Sequence, residues 1–147
     1  MISYSNLGQK GHGNLGNQLF QIASCIGIAK KFNTSVGFPD WEYEKYFENP
    51  LPKLGKVGKP VKEQHFHFDF NQFNNDCDIT GWLQSEKYFE DCKEEIKKQF
   101  TFKFQSRLEI FEKDNGKQTI AISIRRGDYV NNPNYALLPI SYYIGAL

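Results

Sequence analysis

The chain's 147 residues are one domain's worth of length, enough to bury about two-thirds of the unfolded surface, and 39% hydrophobic with 16% aromatic residues supplies a core. Eighteen basic and seventeen acidic residues leave a formal charge of +1, which argues against nucleic acid as a partner and requires any anion site to be local. Three widely spaced cysteines, Cys25, Cys77 and Cys92, with no Cys-x-x-Cys pair, argue against a disulfide framework or a zinc ribbon and fit a reducing compartment.

Residues 2–5 form a short strand candidate that runs into a glycine-rich segment with Gly8, Gly11, Gly13 and Gly16. Strand, glycine loop, helix is the order that brings backbone close to a ligand. The spacing is neither that of a dinucleotide-binding fingerprint nor that of a Walker loop, so by itself the segment reads first as a turn. The pattern predicts a helix over residues 17–32, capped by Asn17. Its polar stripe is Asn17, Gln21, Ser24 and Lys31, with Leu19, Phe20, Ile22, Ala23, Ile26 and Ala29 covering the remainder. A strand over residues 34–38 then closes a βαβ unit. The apolar run at residues 19–29 is far shorter than the ~20 residues that span a bilayer. The first residues lack a signal peptide's basic region and apolar core. The expectation is a soluble cytoplasmic protein, with any membrane association peripheral and through a partner.

Residues 39–60 hold Pro39, Pro50, Pro52 and Pro60, which predicts a short helix over residues 40–47 and then a loop around Gly55 and Gly58. Residues 65–70 alternate, with Phe66, Phe68 and Phe70 on one face and His65, His67 and Asp69 on the other, as in a half-buried strand. A solvated strand face is the ordinary reading of the polar set, and a metal-dependent hydrolase the alternative. Residues 77–80 predict another strand. Ser85 is placed to cap a helix over residues 86–99 with Phe89, Cys92 and Ile96 facing inward and Glu94 paired with Lys98.

A further helix is predicted over residues 107–113, stopped by Asp114, Asn115 and Gly116. Ile120, Ala121, Ile122 and Ile124 then read as a strand buried on both faces. Arg125 and Arg126 sit at its carboxyl end, where open α/β sheets bind ligands, and forked guanidinium donors suit phosphate or carboxylate. Gly127 supplies a turn, and Asp128 is close enough to fix one arginine's rotamer. From these residues alone, an anion clamp and a surface ion-pair cluster are both open. Pro139 starts a last helix, residues 140–147.

Four stretches, Gly13-Asn-Leu-Gly-Asn-Gln-Leu-Phe-Gln21, Gly81-Trp-Leu-Gln-Ser-Glu-Lys-Tyr-Phe89, Ile124-Arg-Arg-Gly-Asp-Tyr-Val130 and Leu138-Pro-Ile-Ser-Tyr-Tyr143, resemble in kind and order the α-1,2-fucosyltransferases of glycosyltransferase family 11. The resemblance covers essentially the whole chain and about the first half of the family's usual length. It implies an α/β fold of the GT-B type, with an amino-terminal open-sheet domain over residues 1–116 and the first βα unit of a Rossmann-like donor-binding domain over residues 117–147. It also implies inverting transfer of fucose from GDP-fucose to a galactose-containing glycan, with no cofactor and no metal. On this resemblance Arg125 and Asp128 are the catalytic pair. Gly13, Gly16, Asn17, Gln18, Arg125 and Arg126 bind the donor, with Arg125 on its β-phosphate. Ser123 stands where the family usually has histidine, and Asn14 where arginine is common. A chain of this length is expected to be inactive or weak alone, with a separate polypeptide as one source of the missing part. The competing reading is a non-catalytic carbohydrate- or nucleotide-binding module.

Overall fold

A computed structural model describes residues 1–104 and 122–145. The chain divides into two compact units, Met1–Gln105 and Ser106–Leu147. The predicted helix over residues 107–113 and the first half of the predicted strand before Arg125 lie outside the described residues.

The first unit is α/β, with a four-stranded, all-parallel sheet in the order β2-β1-β4-β3. Its strands are β1 (Ile2–Ser3), β2 (Val36–Gly37), β3 (Lys59–Lys62) and β4 (Cys77–Thr80). Ile2 is the register point at the centre, paired with Val36 on one side and Cys77 on the other. The β4 strand has the predicted bounds and buries Cys77 and Ile79, as its period-two pattern requires. The β3 strand begins at the end of the segment predicted as loop and runs two residues past it. Lys-Pro-Val-Lys lacks an apolar face, and it occupies the sheet edge, the place where proline and lysine are tolerated.

Helix α1 (Leu15–Lys31) carries β1 back to β2. It starts two residues earlier than predicted. The residue at its amino cap is Asn14, not Asn17, and no side chain caps it. Its other end is well specified: Asn33 takes φ 48°, and the amides of Asn33 and Thr34 donate to the carbonyls of Lys30 and Ala29. That is a Schellman closure on an asparagine, with Lys30 and Lys31 in the last turn complementing the helix dipole. Ile22, Cys25 and Ile28 from this helix pack with Ile2, Tyr4, Phe38, Trp41, Cys77, Ile79 and Leu83 in one core. All three cysteines are free and buried.

Two further predictions are corrected. Residues 65–70 are not a strand: a bend covers residues 65–67 and a single 3-10 turn follows at Phe70–Gln72. Phe68 and Phe70 pack against Tyr88, while Phe66 is 80% exposed. The three phenylalanines therefore share no face, and the alternation has no sheet to serve. The predicted helix over residues 86–99 is split into 3-10 turns at Glu86–Tyr88 and Glu90–Cys92, and then α2 (Lys93–Gln99). Ser85 makes no side-chain cap. The break at Phe89 accommodates the approach of the Tyr88 backbone to α1 at Gly27, where even a Cβ would collide with the Tyr88 carbonyl oxygen. Glu94 pairs with Lys97, not Lys98, at 2.7 Å.

In the second unit, residues 122–126 form no strand, and Ile122 and Ile124 are 44% and 45% exposed, which corrects the buried-strand expectation for this part. A strand needs a partner to pair its backbone, and the described residues 122–126 pair with no strand of the sheet. Among the described residues of this unit are a 3-10 turn at Gly127–Tyr129 and the short helix α3 (Ile140–Ile144), preceded by Pro139 as predicted.

Candidate functional site

In a parallel sheet every strand delivers its following loop to the same edge, and β1 and β4 are the adjacent central pair. The glycine segment follows β1, and the Gly81–Gln84 stretch follows β4, so two of the four sequence motifs meet at the carboxyl edge of the first unit. The stripe of polar residues on α1 fastens them. Gln21 is fully buried, and its amide Nε2 donates to the carbonyls of His12 at 2.9 Å and Gly81 at 3.3 Å. Ser24, also fully buried, donates to the Leu83 carbonyl at 2.9 Å. Gln84 Nε2 donates to Asn17 Oδ1 at 2.6 Å. Gln21 and Ser24, polar in sequence, thus face backbone acceptors and satisfy loop carbonyls that burial would otherwise leave unpaired.

Tyr4 adds a second tie. Its hydroxyl donates to the Gly81 carbonyl at 2.6 Å and accepts from the Gly81 amide at 3.3 Å. Burial is the main reason its phenol is pushed up to about 12, against the lowering effect of that backbone bond. Glu63, just past β3, accepts from the amides of Trp82 at 2.7 Å and Leu83 at 3.2 Å. Sequence reasoning missed Tyr4, Glu63 and Gln84, and took Gln21 and Ser24 only as part of a stripe. The signal available was the occurrence of Gln21 and Gln84 inside the two motifs.

The predicted donor residues of this unit have distinct environments. Gly13 takes φ 93°, and an added Cβ would run into the Asn17 side chain, so this turn requires glycine. Gly16 lies in the first turn of α1 with open space where a Cβ would be. Gln18 is turned inward at 4% exposure: its Nε2 donates to the Gly13 carbonyl at 2.9 Å, and its Oε1 accepts from the Trp41 indole at 2.7 Å. One end of that amide holds the glycine loop and the other holds Trp41 of the core. Asn17 is half-buried and tied to Gln84.

In the second unit, Asp128 holds Arg125 in a two-pronged pair, Oδ2 accepting from Nη2 at 2.8 Å and Oδ1 from Nε at 3.3 Å. The pairing expected from sequence spacing is there, formed on the Gly127–Tyr129 turn. Hydrogen bonding to Asp128 raises the Arg125 guanidinium, and the same bond holds the Asp128 carboxyl below its ordinary value. The Arg125 guanidinium also lies over the Tyr129 ring at 4.6 Å. Gly127 does not adopt a left-handed φ, so the turn is not glycine-dependent as predicted. Arg126 is exposed beside this pair.

His65 and His67 do not present a ligand face. His65 Nδ1 contacts the His67 carbonyl at 3.1 Å, and its Nε2 is 4.0 Å from Asp69. Among the described residues no three His, Cys, Asp or Glu side chains converge as a metal would require. No helix among them is long and apolar enough to cross a membrane.

Comparison with known proteins bears on this arrangement. The family model for glycosyl transferase family 11 matches residues 17–141, which takes in α1 from Asn17 onward, the Gly81–Gln84 stretch and the Arg125–Asp128 pair. The chain is 23% identical over 176 residues to an alpha-1,2-colitosyltransferase from Escherichia coli, in an alignment covering 92% of this chain and 60% of that protein. The chain therefore spans about three-fifths of that relative's length. No solved structure matches it. With one family match running from α1 through the Arg125–Asp128 pair and spanning most of the chain, the protein belongs to glycosyl transferase family 11.

Proposed function

We propose that this chain is the amino-terminal part of a fucosyltransferase-type enzyme that moves fucose from GDP-fucose to a galactoside hydroxyl, α-1,2, with inversion and without a metal. The observation that carries the reading is the family match spanning residues 17–141, within which Arg125 is fixed by Asp128 with its charge intact. The acceptor oxygen attacks the anomeric carbon, the bond to the β-phosphate oxygen breaks, its electron pair leaves with GDP, and the hydroxyl proton is lost to solvent or a base. Negative charge grows on GDP as that bond lengthens, and a pre-oriented guanidinium stabilises the later stage more than the earlier one. Arg125 is the phosphate contact, Arg126 a second cation and Asp128 the positioning residue.

Gly13, Gly16 and Asn17 offer backbone and amide groups to the donor. Gln18 acts through the loop, because its own polar atoms are engaged inside. In this reading the fold is GT-B, and residues 117–147 open a Rossmann-like domain whose remainder lies in further sequence or a separate chain. The chain then binds GDP yet turns over weakly. The test is titration of the chain with GDP, followed by incubation with GDP-fucose and a β-galactoside. The expected result is GDP binding abolished by Arg125→Ala, with little fucosylated product. Absence of GDP binding would overturn the donor site, and robust turnover would overturn the claim of incompleteness. The colitosyltransferase relative favours one competitor, a colitosyl donor, which belongs in the same assay.

A further inference from the structure

The turn after β4 is held in a conformation its own sequence does not favour. Leu83 is fully buried and takes φ 51°, a left-handed backbone uncommon outside glycine and asparagine and kept only where the surroundings impose it. Glu63 imposes it from outside the turn. It follows β3 directly, and its own amide donates to the Thr80 carbonyl at 2.8 Å. Its Oε2 accepts from two successive amides, Trp82 at 2.7 Å and Leu83 at 3.2 Å. Consecutive N–H groups converging on one oxygen make an anion-binding concavity, and here the anion is the protein's own carboxylate. Gly81 leaves the room, since a Cβ there would collide with the Glu63 side chain. The Leu83 carbonyl accepts from the Ser24 hydroxyl and the Ser85 amide, both at 2.9 Å. With both its backbone polar groups engaged, Leu83 fixes the direction in which the chain continues into Gln84. Gln84 is exposed and donates to Asn17 Oδ1 at 2.6 Å. That bond orients the Asn17 amide: its oxygen is turned to Gln84, and its nitrogen lies on the glycine turn, where a Cβ at Gly13 would run into it.

We infer that Glu63 is a positioning residue for the glycine turn: acting through Leu83 and Gln84, it sets the direction of the Asn17 amide. The Asn17 oxygen is thereby spent within the protein, and its N–H groups are the ones offered to a ligand oxygen beside Gly13. The inference rests on the reading above in which Asn17 meets the donor, and adds what points it there. A carboxylate suits the task because charged acceptors bind backbone amides more strongly than neutral ones. An edge strand thus controls a side chain on α1 that it does not touch among the described contacts.

The experiment records the Asn17 side-chain amide resonances in the full chain, assigned by their loss in Asn17→Ala. Without ligand, Glu63→Ala is expected to move them to where they lie in Gln84→Ala and to speed hydrogen exchange at the Leu83 amide by about 10-fold or more. Glu63→Gln, which keeps an acceptor of the same shape, should stay nearer the parent. Ile79→Val, a core change on β4, controls for general loosening. Asn17 resonances unmoved in Glu63→Ala, or moved as far in Ile79→Val, would overturn the inference. Should Glu63→Ala not fold, Glu63→Asp, one methylene short of the two amides, is read in its place. With GDP-fucose added, Glu63→Ala and Gln84→Ala should each weaken binding by about 5-fold, and the double variant by no more than either alone. Losses that add in the double variant would show that the two residues act separately, against the inference. Should GDP-fucose leave the parent's Asn17 resonances still, the donor contact at Asn17 falls, and the ligand-free spectra decide the role of Glu63.

Discussion

The two units spend their polar groups in opposite ways. In residues 1–104, Gln18, Gln21 and Ser24 are buried and each bonds a residue far away in sequence, Trp41, Gly81 and Leu83 respectively. In residues 122–145 no described residue is buried, and the contacts are short-range, Arg125 with Asp128 and Tyr129 with Tyr135. Buried hydrogen bonds contribute to stability and penalise their own removal, while exposed ion pairs contribute little. The first unit should therefore report mutations as changes in folding, and the second as changes in binding.

The largest expected effect tests the tightest packing. Gly27→Ala places a methyl against the Tyr88 carbonyl oxygen, backbone that cannot swing aside, and should cost about 3 kcal/mol or more in urea unfolding. A normal midpoint would mean that the 88–92 segment is not docked on α1. Next comes Gln21→Leu, which strips the donor from two loop carbonyls and should cost about 1–2 kcal/mol by the same measurement. An unchanged midpoint would remove the polar seam from the account of stability.

Alkaline pH gives a smaller and more specific test. The Tyr4 phenol is raised from 10.0 to about 12 in the folded chain, so the unfolded state loses that proton first. Tyr4's contribution is complete below pH 10 and is lost as pH rises through about 12. Thermal unfolding of the parent should fall across that window more steeply than that of Tyr4→Phe, and parallel curves would show that the phenol does not titrate as argued. The smallest effect is expected at Arg125→Ala, where the unfolding midpoint should stay with the parent's while GDP binding is lost. A drop in midpoint would erase the contrast between the units.

Sequence gave access to these features unevenly, for reasons visible in particular residues. Residues 77–80 were legible to the residue because Cys77 and Ile79 alternate with polar neighbours inside a sheet that exists. The same rule failed at residues 65–70, where Phe66 points to solvent and the other two rings serve Tyr88. It missed β3 altogether, since an edge strand of Lys-Pro-Val-Lys shows no apolar pattern. At the candidate site, the Arg125–Asp128 pair was readable because it is local. The inward turn of Gln18 and the grip of Gln21 on Gly81 were not, because their partners are backbone carbonyls, and a carbonyl has no letter in the sequence.

The three free thiols carry an experimental dividend. Cys25 and Cys77 are wholly enclosed and Cys92 nearly so, so an alkylating reagent reaches them only when the fold opens, and at Cys25 burial also pushes the thiol far above its ordinary value. Alkylation rates then act as clocks set at different depths: Cys92 times the lifting of α2, and Cys25 with Cys77 times the parting of sheet and helix. A nucleotide that tightens the glycine turn would slow the deeper clocks, which offers an assay for ligands before any product can be measured.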